Sequence, residues 1–309
     1  MTATAESPGF PTKPRVPSFW ATVWTRGEGC EDLAHSLAER DPIHVEGDLR
    51  AACIAARAGI IVTTKLTSFD LLPMVVPSGV DFQKIRSVVA AVGSGPHSIL
   101  AARVAVRLAR SIGVEGSMVS VSPTPDHDAA ALQTLDHIST QVPGISATLV
   151  REPGARALVD DLPPDAVLVI GAPGGSWLQR QFFGPGRQLV VHSKAGAIVV
   201  RDAPRRCFHH AGEPSALGAR LLIADARPLA VDPAMAVVDE GQLVGIVRRE
   251  RLAAAPPDDA IESIMEDAVF LQVDDPVDAA GDLASFLDGS PIPVIDANGR
   301  LAGSLTPPD

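Results

Sequence analysis

Two glycine-anchored spacings in this 309-residue chain put chemistry-bearing groups where apolar strands end. The first spans Gly303-Ser304-Leu305-Thr306-Pro307-Pro308-Asp309, a G-x-x-T-x-x-D spacing. It follows a strand-turn-strand text, Ile292-Pro293-Val294-Ile295-Asp296-Ala297-Asn298-Gly299-Arg300-Leu301-Ala302. A hydroxyl at a helix start, beside free backbone N–H groups, binds anions. An ionised carboxylate accepts only, which suits it to the two hydroxyls of a sugar diol. The second spacing is Gly171-x-x-Gly174-x9-Gly184, after the apolar run Ala166-Val167-Leu168-Val169-Ile170. A glycine-rich loop leaving a parallel strand bares its N–H groups, so a phosphate can rest against the backbone. Ser94, in Gly93-Ser94-Gly95-Pro96-His97-Ser98, adds a hydroxyl after another apolar strand.

The remaining clusters carry less. Asp126-His127-Asp128 could do acid–base or metal work, because a histidine between carboxylates titrates near neutrality. It also follows Pro123 and Pro125 and precedes Ala129-Ala130-Ala131-Leu132, which reads as acidic residues at the positive end of a helix dipole. Ser94, His97 and Ser98 lack a third orienting group, so they read as loop donors near a phosphate or as caps. Cys207, His209 and His210 have no fourth ligand in range, and neighbouring side chains on an extended segment point apart. Cys30, Cys53 and Cys207 form no CxxC, so neither a disulfide frame nor a zinc site is indicated and a reducing cytoplasm fits. No metal is expected. With no assignable general base or metal carboxylate, the chain reads as a non-enzyme.

The elements that must hold these groups are written most clearly from Ile85 onward. IRSVVAAV, SMVSVS, ISATLV and AVLVIG alternate with amphipathic stretches, a β/α pattern implying a parallel sheet. The stretch after Pro96 puts Ile99, Ala102, Val106 and Ala109 on one helical face and Arg103, Arg107 and Arg110 on the other, and Gly113 stops it. The run from Asp165 to Pro204, with Gly171, Gly174 and Gly184 and then LVVHSKAGAIVVR, resembles the universal stress protein family. That resemblance implies a Rossmann-type α/β domain over residues 83–203, ATP at the glycine loop, and self-association. Two positions depart from the family's pattern. Pro185 stands where a hydroxyl residue follows the last glycine, and Gly93 where a carboxylate ends the first strand. Trp177, Phe182 and Phe183 inside the loop read as packing or dimer contacts. Residues 18–82 read as a small α/β segment, either a truncated second copy of that fold or a cap on it.

The text ending Gly303, Thr306, Asp309 resembles the end of a CBS domain. The resemblance implies Thr306 facing phosphate, Asp309 accepting from ribose, and Gly303 allowing close approach. Ala236-Val237-Val238-Asp239-Glu240-Gly241-Gln242-Leu243-Val244-Gly245-Ile246-Val247 repeats the pattern that begins at Pro293, 57 residues later. An internal repeat of this kind implies a symmetric pair over residues 217–309. Its first copy is degenerate, because Gly245 is followed by Arg248 and Arg251 at the ligand positions and its helix shortens to about PLAVDPAM. Those arginines could meet a phosphate or simply lie in solvent. Residues 204–216, containing the basic cluster Arg205, Arg206, His209 and His210, read as a linker, and residues 1–17 as a disordered tail.

Composition sets the remaining bounds. Hydrophobic residues make up 46% of the chain and aromatics 4%, with no tyrosine, so Ala, Val, Leu and Ile must build the core in helix-sheet layers. The fold class expected is α/β, a parallel-sheet central domain with an α+β module behind it. A net charge of −11 argues against nucleic acid, and no apolar run is long enough to insert in a membrane. The functional expectation is a cytoplasmic, homodimeric regulatory protein that senses an adenine nucleotide (AMP, ADP or ATP) and acts on an unidentified regulated partner. The alternatives are a ligand-free interaction scaffold and a weak ATPase.

Overall fold

The apolar runs are strands in the computed structural model, which describes residues 19–151, 160, 162–172 and 193–306. The chain divides into one unit running Ser18–Ala203 and another that begins at Pro204. The mixed α/β class is as the composition required.

In the first unit nine strands form one sheet. They are β1 (Thr22–Trp24), β2 (Ile43–His44), β3 (Ile60–Val62), β4 (Met74–Ser78), β5 (Ser87–Ala91), β6 (Glu115–Val121), β7 (Ser146–Val150), β8 (Ala166–Gly171) and β9 (Ala197–Arg201). Their order is β2-β1-β3-β4-β9-β8-β5-β6-β7. Every neighbouring pair is parallel except β4–β9, an antiparallel seam centred on Val76 and Val199. Counted outward from that seam, each half presents its last, penultimate, first and second strand; β7 is a third strand that the first half lacks. The two halves are therefore related by a pseudo-twofold axis through the seam.

Residues 18–82 share a core with residues 83–203. Helix α1 (Cys30–Leu37) buries Leu33, Ala34 and Leu37, and the short α2 (Leu49–Ala55) buries Cys53. Helix α3 (Ser98–Ile112) buries Leu100, Ala101, Val104, Ala105 and Leu108, and ends at Gly113 in the left-handed region, φ 72°. Leu33, Leu37, Leu100, Leu108, Val88, Val167 and Ile198 belong to one cluster. Each large aliphatic side chain buried this way contributes about 1.5–3 kcal/mol. The amphipathic reading of α3 set Arg107 on a polar outer face. It is instead partly buried, its Nε donating to the Leu37 carbonyl at 2.8 Å and its guanidinium 5.7 Å from the Trp20 ring centroid. The reason is α1, which packs on that side of α3. Helix α4 (Asp128–Gln141) covers β6 and β7 with Ala131, Leu135 and Ile138.

The second unit is two copies of a smaller motif. One sheet orders β10 (Ala216–Gly218), β11 (Ala234–Asp239) and β12 (Gln242–Arg248); the other orders β13 (Leu271–Gln272), β14 (Ile292–Ile295) and β15 (Leu301–Leu305). Each sheet has a parallel pair followed by an antiparallel hairpin. Both hairpins bulge at the corresponding place, between Val237 and Val238 and between Val294 and Ile295. The hairpin turns clasp each other, with Leu243 N–H donating to Gly299 O at 3.1 Å and Leu301 N–H to Gly241 O at 3.0 Å. Helix α5 (Cys207–His210) precedes the first copy, α6 (Ile223–Ala226) and α7 (Arg249–Ala254) belong to it, and α8 (Ala279–Ala284) belongs to the second. The shortened helix of the first copy thus lies at 223–226, extended by a 3-10 turn at Arg227–Leu229, upstream of the PLAVDPAM text expected to form it. Pro228 and Pro233 stop it from continuing.

Residues 205–212, read as linker from sequence, are folded onto the second copy. Cys207 and Phe208 are buried, and their N–H groups donate to Asp275 O and Val273 O at 2.9 and 2.8 Å. Gly212 pairs with Ser304 as an added strand edge.

Candidate functional sites

The second unit has a shallow cleft walled by both copies. Pro214 and Ser215 enter it from the segment before β10, Asp232 and Ala234 from the turn into β11, Pro291 and Pro293 from the turn into β14 and that strand, and Leu301, Gly303 and Ser304 from β15. Its volume is about 240 Å3 including the open mouth. That figure includes open solvent, and the enclosed space is about 10 Å3, room for about one water. The walls are proline, alanine and leucine, with two hydroxyls and one carboxylate. The Ser304 hydroxyl donates to Glu213 O at 3.2 Å.

Gly303 is buried, opposite Val294, and its lack of a side chain has a local cause. A Cβ there would lie 2.8 Å from Gly212 O and 2.9 Å from Ala211 Cβ. The close approach at this glycine is thus made by the chain's own 211–212 segment. Gly245, its counterpart, faces Glu266 O at 2.6 Å in the same way. Thr306 is exposed just after β15 ends, and Asp309 lies outside the described residues.

The first copy's counterparts of the hydroxyl and carboxylate are held internally. Arg248 ion-pairs with Asp288, donates to Phe286 O at 2.9 Å, and lies 3.3 Å from a Glu266 carboxylate oxygen. Arg251 reaches Glu266 at 3.4 Å and Ile264 O at 3.2 Å. The sequence left these guanidinium groups to solvent or phosphate; the structure gives them carboxylate partners contributed by residues 266 and 288.

In the first unit the carboxyl ends of β5 and β8 meet where the strand order reverses direction, the place where open α/β sheets bind ligands. Gly171 ends β8 there, and a Cβ on it would lie 2.9 Å from His97 Cβ, so Gly171 and the loop carrying Ser94 are brought together. Ser94 is exposed. Gly174 and Gly184 lie outside the described residues, as do Trp177, Phe182, Phe183 and Pro185. Ser98, the first residue of α3, ties the preceding loop to the helix, its hydroxyl accepting from Gly93 N–H at 3.0 Å. His97 Nδ1 accepts from Asp202 N–H at 3.0 Å. Burial pushes its pKa below the ordinary histidine value, Asp202 opposes that, and Arg201 adds to it. The neutral ring therefore carries its proton on Nε2.

Asp128 starts α4 and pairs with Arg151 at 2.8 Å, while Thr124 Oγ1 lies 2.8 Å from His127 Nδ1. Among the described residues no group of three or more His, Cys, Asp or Glu is arranged to hold a metal. Burial pushes the Cys53 and Cys207 thiols up to about 12 and about 11. Both are therefore protonated and unreactive at neutral pH. No helix among the described residues is long and apolar enough to cross a membrane. Sequence reasoning missed Asp232 and Ser215. The 57-residue repeat was the available signal, since Asp232-Pro233 sits where Gly289-Ser290 leads into β14.

No family model matches the chain, and no curated protein does. Solved structures that resemble part of it include CBS domain pairs, and three of the similar structures each match 33% of it. One is the cytosolic domain of the Mg2+ channel MgtE in complex with ATP, 25% identical over 33% of this chain and 45% of that one, TM-score 0.30. Another is a CBS domain pair in complex with 5′-methylthioadenosine and S-adenosyl-L-methionine, 26% identical over 33% and 90%, TM-score 0.29. A third is a CBS pair/ACT domain protein from Thermotoga maritima, 17% identical over 33% and 88%, TM-score 0.31. The chain spans less than half the length of the channel domain.

Proposed function

We propose that this chain is a non-catalytic regulatory protein that senses an adenine nucleotide in the cleft of its second unit. One observation carries the reading. Both copies of the repeat wall the cleft, so a ligand filling it contacts both and favours the arrangement of the pair that it fits. In this reading Gly303 lines the site, Thr306 donates to the ligand, and Asp309 accepts from ribose. The strand order β7-β6-β5-β8-β9 and the glycine loop after β8 support a stress-protein-like second site, with Gly171, Gly174, Gly184 and Ser94 as its phosphate donors. The protein works in the cytoplasm on a regulated partner. It acts as a homodimer, and because β4 already covers the edge of β9, self-pairing uses another surface.

The test is calorimetric titration of the whole protein with AMP, ADP, ATP and S-adenosylmethionine, alongside Asp309→Ala. Loss of one charge-assisted contact weakens a ligand in this cleft about ten- to a hundredfold. Binding that ignores Asp309→Ala moves the site to the glycine loop. No heat with any ligand refutes the sensor and leaves the second reading, a ligand-free scaffold. That reading is favoured by the Arg248 ion pairs, which occupy the first copy's ligand position.

A further inference from the structure

We infer that His97 is a proton-operated clasp on the connector between the two units: its neutral ring holds the connector's first residue, Asp202, and its protonated ring releases it. The connector starts directly after β9 and enters the second unit at Pro204. The pairing of β9 ends at Val200 on the β8 side and at Arg201 on the β4 side. The ring takes over where that ladder stops, its Nδ1 accepting from Asp202 N–H at 3.0 Å. His97 can act this way because its mount is rigid. Its carbonyl accepts from Ala101 N–H at 3.0 Å in the first turn of α3, and its loop is closed by the Ser98 hydroxyl on Gly93 N–H. Its Cβ packs on Gly171, where an added Cβ would come within 2.9 Å. With backbone and Cβ fixed, a change at Nδ1 is passed to Asp202.

Only the neutral imidazole has a lone pair at Nδ1. The imidazolium carries N–H on both nitrogens and would set a donor against the Asp202 N–H. Burial opposes protonation, the Asp202 carboxylate favours it, and the Arg201 guanidinium opposes it. The ring's own loop, the first turn of α3 and the end of β8 at Gly171 and Ala172 bring no further charge among the described residues. Asp202 Oδ1 accepts from Ala203 N–H at 2.9 Å, so the carboxylate is turned along the connector. The folded pKa lies below the ordinary value, so the clasp is closed at neutral pH and opens as pH falls through that lower value. Opening adds Asp202 and Ala203 to the free tether.

The experiment is amide exchange resolved by NMR on the full chain from about pH 7.5 to about pH 5, corrected for the intrinsic rate, with the His97 ring titrated in the same samples. Protection at Asp202 is expected to fall about three- to tenfold, following the His97 titration. The Ala172 amide, which donates to Val200 O at 2.6 Å at the neighbouring strand end, is expected to keep its protection. His97→Asn places a carbonyl oxygen where Nδ1 stands and should hold Asp202 protected across the range. His97→Phe keeps a ring without an acceptor and should leave Asp202 unprotected throughout. Exchange at Asp202 that ignores the ring's titration, a loss shared equally by Ala172, or a His97→Asn chain as unprotected as His97→Phe overturns the inference.

Discussion

Gly303→Ala separates a glycine kept for a ligand from one kept for the fold. The added methyl would sit 2.8 Å from Gly212 O and 2.9 Å from Ala211 Cβ, one a backbone atom and the other a carbon fixed to it, so neither can rotate aside. The 211–212 segment has to move. In doing so it strains or breaks its two hydrogen bonds with Ser304, Gly212 N–H to Ser304 O at 2.8 Å and Ser304 N–H to Gly212 O at 3.2 Å. Overpacking of this kind costs about 1–3 kcal/mol, and each hydrogen bond contributes about 0.5–1.5 kcal/mol. The expected loss in the ligand-free protein is about 2–4 kcal/mol. With a urea slope of about 2 kcal/mol/M, the midpoint falls by roughly 1–2 M.

The assay has to see the right unit. Trp20, Trp24 and Trp177 all precede residue 204, so tryptophan fluorescence reports the first unit and serves as the internal control. Amide exchange at Gly212 and Ser304 reports the second. Gly303→Ala should raise exchange at those two amides and lower the second unit's midpoint, with the fluorescence transition unmoved. An apo protein unchanged within about 0.5 kcal/mol, with ligand binding lost, would refute the packing argument and return Gly303 to a purely ligand-facing role.

Two further outcomes follow from the first unit. The fold favours neutral His97, so its stabilisation is present above the unfolded pKa of about 6.5 and is lost as pH falls through the lower folded value. Wild-type stability followed by fluorescence should drop on acidification from pH 7 and His97→Gln should flatten that slope; a His97 pKa above 6.5 by NMR would contradict it. Arg107→Ala removes the donor to Leu37 O and the cation over Trp20. It should cost about 1–3 kcal/mol on the fluorescence-detected transition, and a change below about 0.5 kcal/mol would show that water replaces the clamp.

The parts of the fold that were legible have a common cause. β5, β6, β8 and α3 are long enough for period and apolarity to speak, and the hairpins repeat at 57 residues with matching turns. β1, β2 and β3 are three, two and three residues long, too short for a periodic signal, and they join the rest of the sheet only through β4, whose seam with β9 pairs residues more than 100 positions apart. The same limit applies to the site. The G-x-x-T-x-x-D spacing marked Gly303, but a spacing does not say what approaches the glycine. The approaching segment lay in a Pro- and Arg-rich stretch that composition assigned to a linker.

Both units double a half-structure, and in each an arginine at a strand end fastens the reduced half. In the first, Arg201 at the end of β9 reaches across the seam and donates to the carbonyls of Thr67 and Phe69. That fixes the loop of residues 63–73, which joins β3 to β4 where the other half carries its glycine spacing between β8 and β9. In the second, Arg248 at the end of β12 is fastened to Glu266 and Asp288. The two carboxylates offset the Arg248 charge, which weakens its pull on an anion, whereas Arg201 keeps its charge and only ties down the backbone of the 63–73 loop.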